Sequence, residues 1–342
     1  MAIQDRYTKS LMGQKGVTGT ATGLDDDGNV VIKVYVDGFE KPQIPKSIEG
    51  VPVLVQVCPK FYPLSGASQL GRRDRLPRPV PIGVSAIMYD LTLCASGTYG
   101  CRLRDPVTRN VYALSNGHVF GFTPFNYITQ PSASDELPIN ILLFGCPTFP
   151  IIEQNIIGQT EQVAPIVFDG TTPNLVDAAI AFSGPNYIGT STLSDGYGTP
   201  RSTTVAPSLG QKVQKYGRTT GYRTGRVIGV NATQTIGYDQ GSAFFIRQIE
   251  VIGDPDVQVP FGGPGDSGSL VVDDQRRPVG LLFAGSAQVI NNKLVIVALC
   301  NRITDVLAAF NMVIDGSPVD NSLTKVGTSV PGPNPFLPPV IP

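Results

Sequence analysis

Turn-forming residues interrupt this chain so often that little room is left for long helices. Its 342 residues include 38 glycines and 30 prolines, with short runs of Val, Ile, Leu, Thr and Tyr between them. Short runs of this kind, bounded by turn residues, read as strands. Strands that repeat without helical interludes predict an all-β fold in place of a helical or alternating βα architecture. Hydrophobic residues make up 41% of the chain, enough for a substantial core in one large or two medium domains.

Residues 17–23 and 30–36 read as a hairpin around Asp25-Asp26-Asp27-Gly28-Asn29, because Asp-Gly is a hairpin signal. A calcium loop would need a glutamate at the twelfth position from Asp25, and Val36 stands there. With a third strand at 51–57, residues 1–62 make a small β-rich N-terminal module. Residues 63–79, rich in Gly, Ser, Arg and Pro, read as a linker whose basic run from Arg72 to Arg78 is solvated. Denser strands follow at 82–88, 97–103 and 111–114. After a longer loop region at 122–170, a further strand ends at Phe182. Strands at 211–216, 225–230, 243–251, 270–272 and 279–283 support a second barrel after the first. Ile303, Val306, Leu307 and Phe310 fall at i, i+3, i+4 and i+7. They predict the one convincing helix, with Asn301 as its N-cap. Residues 80–312 thus form the main domain, and 313–342 a tail that is proline-rich from Gly327 and extended or disordered. Docking of that tail on a neighbouring subunit is the alternative.

The run Phe261-Gly262-Gly263-Pro264-Gly265-Asp266-Ser267-Gly268-Ser269 sets a serine in a glycine-rich turn. A serine hydroxyl needs a base to become a nucleophile, and its attack on a carbonyl creates an oxyanion that needs donors. Flanking glycines let main-chain N–H groups converge on one point, which designates those of Gly265 and Ser267. His118 is the only histidine, so a histidine base is His118 or does not exist. A lone histidine is more often structural, but this one follows an apolar strand in a small-residue turn. Asp177 opens an apolar strand, where a carboxylate is costly without a partner. A satisfied strand-start aspartate is the plain alternative. Asp169, the nearest competing carboxylate, sits in an Asp-Gly turn.

The order base, acid, nucleophile is one of three known solutions to the same geometry. On Gly265-Asp266-Ser267-Gly268, Leu114-Ser115-Asn116-Gly117-His118 and Asp177-Ala178-Ala179-Ile180, the chain resembles the chymotrypsin-like serine peptidases. The run Lys215-Tyr216-Gly217-Arg218-Thr219-Thr220-Gly221 is similar to a segment of the bacterial secreted branch. The N-terminal run from Ile44 to Val53 resembles poorly characterised bacterial trypsin-like proteins and the related plant narrow-leaf type. The resemblance covers about residues 80–312. It implies two six-stranded β-barrels with the active site between them and a C-terminal helix, and hydrolysis of peptide bonds through an acyl-enzyme. His118, Asp177 and Ser267 would form the triad.

The resemblance also implies further roles. Asp266 needs a basic partner, and Lys215 stands at the matching position. Phe261 falls at the floor of the specificity pocket, where trypsin has an acid, so a small or apolar side chain before the scissile bond is expected. Phe283, Ala284 and Gly285 match the strand edge that pairs with substrate. Phe283 replaces a serine that supports the acid in many members, which leaves Asp177 with fewer protein donors. A protease-fold scaffold without turnover is the competing reading. An α/β-hydrolase esterase is disfavoured because position 269 is Ser269 and the histidine precedes the serine.

A net charge of −1 calls for neither nucleic acid nor a membrane surface. The partner implied is a protein or peptide substrate, with a homo-oligomer left open, and neither a cofactor nor a metal is called for. Residues 1–16 carry charges and no apolar core of a signal sequence. The apolar stretch 139–152 is broken by Pro147 and Pro150 and is too short to span a bilayer. Cys58, Cys94, Cys101, Cys146 and Cys300 show no metal-ligand spacing, as expected of reduced thiols in a cytoplasmic protein. A Cys94–Cys101 bridge remains open.

Overall fold

The computed structural model describes residues 1–38, 40, 42–58, 62–63, 72–90, 95–136, 152–254, 259–290 and 293–317. The chain opens with α1 (Ala2–Met12), β1 (Val17–Leu24), β2 (Val30–Val36), β3 (Ser47–Ile48), β4 (Val51–Val57) and β5 (Tyr62–Pro63). Next come β6 (Ser85–Met88), β7 (Gly97–Thr98), β8 (Cys101–Arg104), β9 (Val111–Ser115), α2 (Gly117–Phe120), β10 (Tyr127–Thr129), α3 (Ala133–Glu136), β11 (Ile156–Val163), β12 (Asp169–Asn174) and β13 (Ala179–Ser183). The second half holds β14 (Lys212–Gly217), β15 (Gly221–Tyr238), β16 (Gly241–Gly253), β17 (Leu270–Asp273), β18 (Pro278–Ile290), β19 (Lys293–Arg302), α4 (Ile303–Phe310) and β20 (Val313–Ile314).

The fold is all-β, with two barrels. In the first, the strand order is β8-β9-β13-β11-β10-β6-β7. Because β7 runs on into β8 through Tyr99 and Gly100, the ring closes on itself. In the second, the order β16-β19-β18-β17-β14-β15 is closed by pairing of β15 with β16. Closure leaves few free edges, which suits strands this short. Several strands escape the sequence pattern. β10 and β11 lie inside the expected loop region, and β12 begins at its end. β19 is a continuous apolar run, and such runs lack the alternation that identifies a half-buried strand.

Helix α4 carries Ile303, Val306 and Phe310 into a core shared by both barrels, against Cys101, Leu114 and Ile180 of the first and Leu270, Val272 and Leu281 of the second. It ends at Asn311, in the left-handed conformation that commonly stops helices. Its N-cap is Arg302, without a side-chain cap bond. Asn301, expected in that role, has another task described below. The chain also has a helix that periodicity does not predict. α1 buries Leu11 and Gln4, and the Gln4 amide accepts from Thr22 Oγ1 at 2.8 Å and donates to Asn231 O at 3.0 Å.

The N-terminal strands extend the second barrel. β1 pairs antiparallel with the outer part of β15, β2 pairs with β1 as the Asp-Gly hairpin predicts, and β4 lies parallel to β2. The basic run is less solvated than expected. Arg73 is buried, with Nε 3.9 Å from Asp135 Oδ1, and Arg78 lies over the Tyr187 ring. Cys101 and Cys300 are buried free thiols, so Cys101 is in no bridge, and Cys58 is buried with its Sγ 3.8 Å from Ser286 Oγ. Burial pushes the Cys58 thiol up to about 12. Cys94, Cys146, most of the linker and the proline-rich tail lie outside the described residues. No described helix is long and apolar enough to cross a membrane.

Candidate active site

Neighbouring strands bring the histidine and the acid together. β9 and β13 pair with Ala179 opposite Ser115, so the segment after β9 and the segment before β13 meet at one end of the first barrel. His118 stands in α2 and Asp177 two residues before β13. His118 Nδ1 lies 2.5 Å from Asp177 Oδ2. Asp177 Oδ1 accepts from the N–H groups of Gly117 at 2.7 Å and His118 at 3.2 Å. The main chain of Asp177 is clamped as well: Asn116 Nδ2 donates to its carbonyl at 2.8 Å, and its N–H donates to Asn301 Oδ1 at 3.1 Å. Asn301 in turn donates to Gln248 Oε1 at 2.8 Å.

Replacement of the supporting serine by Phe283 predicts a poorly solvated acid, and the structure corrects this. Tyr238, at the far end of β15, donates its hydroxyl to Asp177 Oδ2 at 2.8 Å. Burial, reinforced by the charge of Asp177, holds the Tyr238 hydroxyl well above its ordinary range, so it remains a donor wherever the acid is ionised. A buried carboxylate with every acceptor site used is far less costly than a bare one. The Tyr238 hydrogen bond to this carboxylate is of the charge-assisted kind, worth about 1.5–3 kcal/mol. Tyr238→Phe is expected to lower kcat for a peptide ester about ten- to a hundredfold with little change in KM, and steady-state kinetics check this split.

The serine comes from the other barrel, in the turn before β17. Ser267 O accepts from Thr98 N at 2.8 Å, Thr98 Oγ1 donates to Gly265 O at 2.8 Å, and Ser115 Oγ donates to Thr98 O at 2.8 Å. Thr98 therefore ties the serine turn to the end of β9, three residues before His118. Neither the Gly265 nor the Ser267 N–H donates to a backbone carbonyl among the described residues. Gly265 has φ +92, a conformation that favours glycine. At Gly268, φ +94, an added Cβ would sit 2.2 Å from both Ser115 Oγ and Thr98 O. Gly268→Ala is expected to cost about 1–3 kcal/mol through backbone strain alone, and more through that clash. Thermal denaturation and loss of active-site labelling are the readouts.

Ser267 and His118 are not hydrogen-bonded to one another. The Ser267 hydroxyl donates to Phe283 O at 3.3 Å, and His118 Nε2 is buried without a partner. Among the residues expected at the substrate site, Phe261 is fully buried among Val213, Val227, Ile249 and Val251. It fills the barrel core. Phe283 is also buried, with its ring 5.1 Å from that of Phe245, so only its main chain faces the serine. Gly285 pairs with Tyr62. Asp169 accepts from the N–H groups of Thr171 and Thr172 within its own turn.

Asp266 is completely buried with Lys215, whose Nζ lies 2.9 Å from Oδ2. The carboxylate also accepts from Thr219 N at 2.9 Å, Thr220 N at 3.1 Å, Thr220 Oγ1 at 2.6 Å and Gly263 N at 3.0 Å. Burial works to raise its pKa, but the Lys215 charge and these donors outweigh burial and hold it below the ordinary range. A second buried pair was not anticipated. Arg218 grips Asp135 with Nε at 2.7 Å from Oδ2 and a further bond from Nη2, and its N–H donates to Thr98 Oγ1 at 3.1 Å. Arg218 lies within the quoted Gly-Arg-Thr-Thr-Gly run, whereas Asp135 carries no sequence signal.

Among solved structures, the chain is similar to Cellulomonas bogoriensis chymotrypsin, with TM-score 0.43 and 15% identity over 69% of this chain and 97% of that one. It is also similar to Thermobifida fusca protease A, with TM-score 0.46 and 15% identity over 70% and 99%. A Nocardiopsis protease gives TM-score 0.45 and 16% identity over 68% and 97%. No family model matches the chain, and no curated protein matches it. All three structures are bacterial chymotrypsin-like serine proteases.

Proposed function

We propose that the chain is a serine endopeptidase acting through Ser267, His118 and Asp177. The observation that carries this reading is the His118–Asp177 pair, whose carboxylate is satisfied on every side and whose imidazole keeps Nε2 unengaged. With Nδ1–H held by Asp177, Nε2 is the basic nitrogen. A rotation about χ1 releases the Ser267 hydroxyl from Phe283 O and offers its proton to Nε2. The serine oxygen then attacks the peptide carbonyl, the N–H groups of Gly265 and Ser267 receive the negative oxygen, and His118 passes the proton to the leaving amine. Water repeats the sequence on the acyl-enzyme, with His118 again the base. Lys215 and Asp266 hold the turn in shape from beneath.

Phe261 lies in the core of the second barrel and lines no pocket among the described residues, so the expected preference for a small or apolar residue before the scissile bond rests on the family resemblance, and cleavage profiling on a peptide library checks it. A fluorophosphonate probe tests the function itself. Labelling of the native chain and none of Ser267→Ala is expected. No labelling of the native chain, or equal labelling of both, would sink the peptidase reading. One observation favours the scaffold alternative: the Ser267 hydroxyl is engaged by Phe283 O and is not poised on His118.

A further inference from the structure

We propose that the chain fills its own substrate edge: the β5 strand occupies the side of β18 at Ala284 and Gly285, so that the resting protein carries an intramolecular occupant in the cleft. The inference rests on the peptidase reading for its meaning, since that reading makes this edge the place where a substrate backbone pairs.

β18 is longer than its neighbour on one side. Its partner β17 pairs only with residues up to Leu281, while β19 follows the other side as far as Ile290. From Phe283 onward one edge would be bare, and a bare edge is a template for another extended peptide. β5 takes that place, antiparallel, with Pro63 opposite Ala284 and Tyr62 opposite Gly285.

The register suits the residues. Antiparallel partners alternate between pairs that exchange hydrogen bonds and pairs that do not. Pro63 has no N–H, so the Pro63–Ala284 pair is the non-bonded kind and Tyr62–Gly285 the bonded one. The paired residues of β18 follow directly on Phe283, whose carbonyl lies 3.3 Å from Ser267 Oγ.

Described residues on either side of β5 in the chain are held in place. Before β5, buried Cys58 donates its N–H to Val36 O at 2.8 Å, and its Sγ lies 3.8 Å from Ser286 Oγ, one residue beyond Gly285. After β5 the described chain resumes at Arg72, whose carbonyl accepts from Ser85 N in the first barrel at 3.3 Å. Described contacts to the second barrel thus precede β5 in the chain, and contacts to the first barrel follow it. A tethered occupant acts at an effective concentration of order mM, so a free peptide must compete with it.

The test compares the full chain with Tyr62→Pro, which removes the N–H that pairs with Gly285, and with Tyr62→Ala, which keeps it. In the native chain the Tyr62 amide should exchange with deuterium about 100-fold or more slowly than in an open peptide. The segment 283–286 should exchange faster in Tyr62→Pro and unchanged in Tyr62→Ala. Labelling by a fluorophosphonate should be about tenfold faster in Tyr62→Pro. An unprotected Tyr62 amide in the native chain overturns the proposal without any variant, as does equal labelling of the native chain and Tyr62→Pro. Absence of labelling in every chain overturns the peptidase reading instead, and the exchange data then decide the occupancy alone.

Discussion

His118→Ala is expected to lower kcat/KM for a peptide substrate by about 10⁴- to 10⁶-fold while the protein stays folded. Nothing else in the chain can take over, since His118 is its only histidine, and a serine hydroxyl without a base is a very weak nucleophile near neutral pH. What remains should come from the oxyanion donors and from substrate positioning. Because those groups act together, Ser267→Ala combined with His118→Ala should be little worse than either alone. Multiplicative losses in the double variant would show that the two side chains do not act as one unit. Asp177→Asn should fall by about 10⁴-fold, because the amide favours the wrong imidazole tautomer. Steady-state kcat/KM on one peptide substrate, measured for all four variants and the native chain, checks these losses.

The largest stability effect is expected at Lys215. Lys215→Ala leaves the Asp266 carboxylate fully buried without its cation, and breaking a buried pair on one side costs about 3–5 kcal/mol. The hydrogen bonds from Thr219, Thr220 and Gly263 should keep the loss from exceeding that range. Lys215→Met with Asp266→Asn removes both charges, and it should recover much of the stability. Denaturant unfolding of the native chain and the two variants measures the difference. The pH dependence has a definite sign. The folded pKa of Asp266 is depressed, so its contribution is present above the unfolded carboxyl pKa and is lost as pH falls through the folded value. Lys215→Ala removes the charge that depresses it, so acid unfolding should begin at higher pH than in the native chain.

The three residues of the proposed triad are legible because each sits in a short local pattern: a glycine turn, a single histidine after a strand, and a carboxylate at a strand start. Lys215 is legible through the run that contains it, and its salt bridge to Asp266 is where that run suggests. Tyr238 is not legible. Its hydroxyl reaches Asp177 only because β15 and β16 extend far past the barrel, and strand length is set by tertiary pairing that no local window contains. Asn301 reads as a helix cap, yet the buried N–H of Asp177 claims its side chain, since a buried donor without an acceptor costs more than a missing cap. Phe261 shows the converse limit. Motif alignment gives it a place in a pocket, whereas an aromatic ring with apolar neighbours on all sides stays in the core. The pairing of β5 with β18 is invisible to any local pattern, because two residues become a strand only beside β18.

The way β1 lies along the outer part of β15 has a consequence for the behaviour of shortened chains. Without residues 1–36, the projecting β15–β16 hairpin would present a long row of unsatisfied N–H and C=O groups on the β15 side. Natural sheets rarely leave such an edge uncovered, because it recruits strands from other molecules. The intact chain passes this edge outward through β2 and β4 and ends it at the two-residue β3, beside Pro52. Removal of the N-terminal strands should therefore be felt first as precipitation at working concentrations, before any change in hydrolysis could be measured.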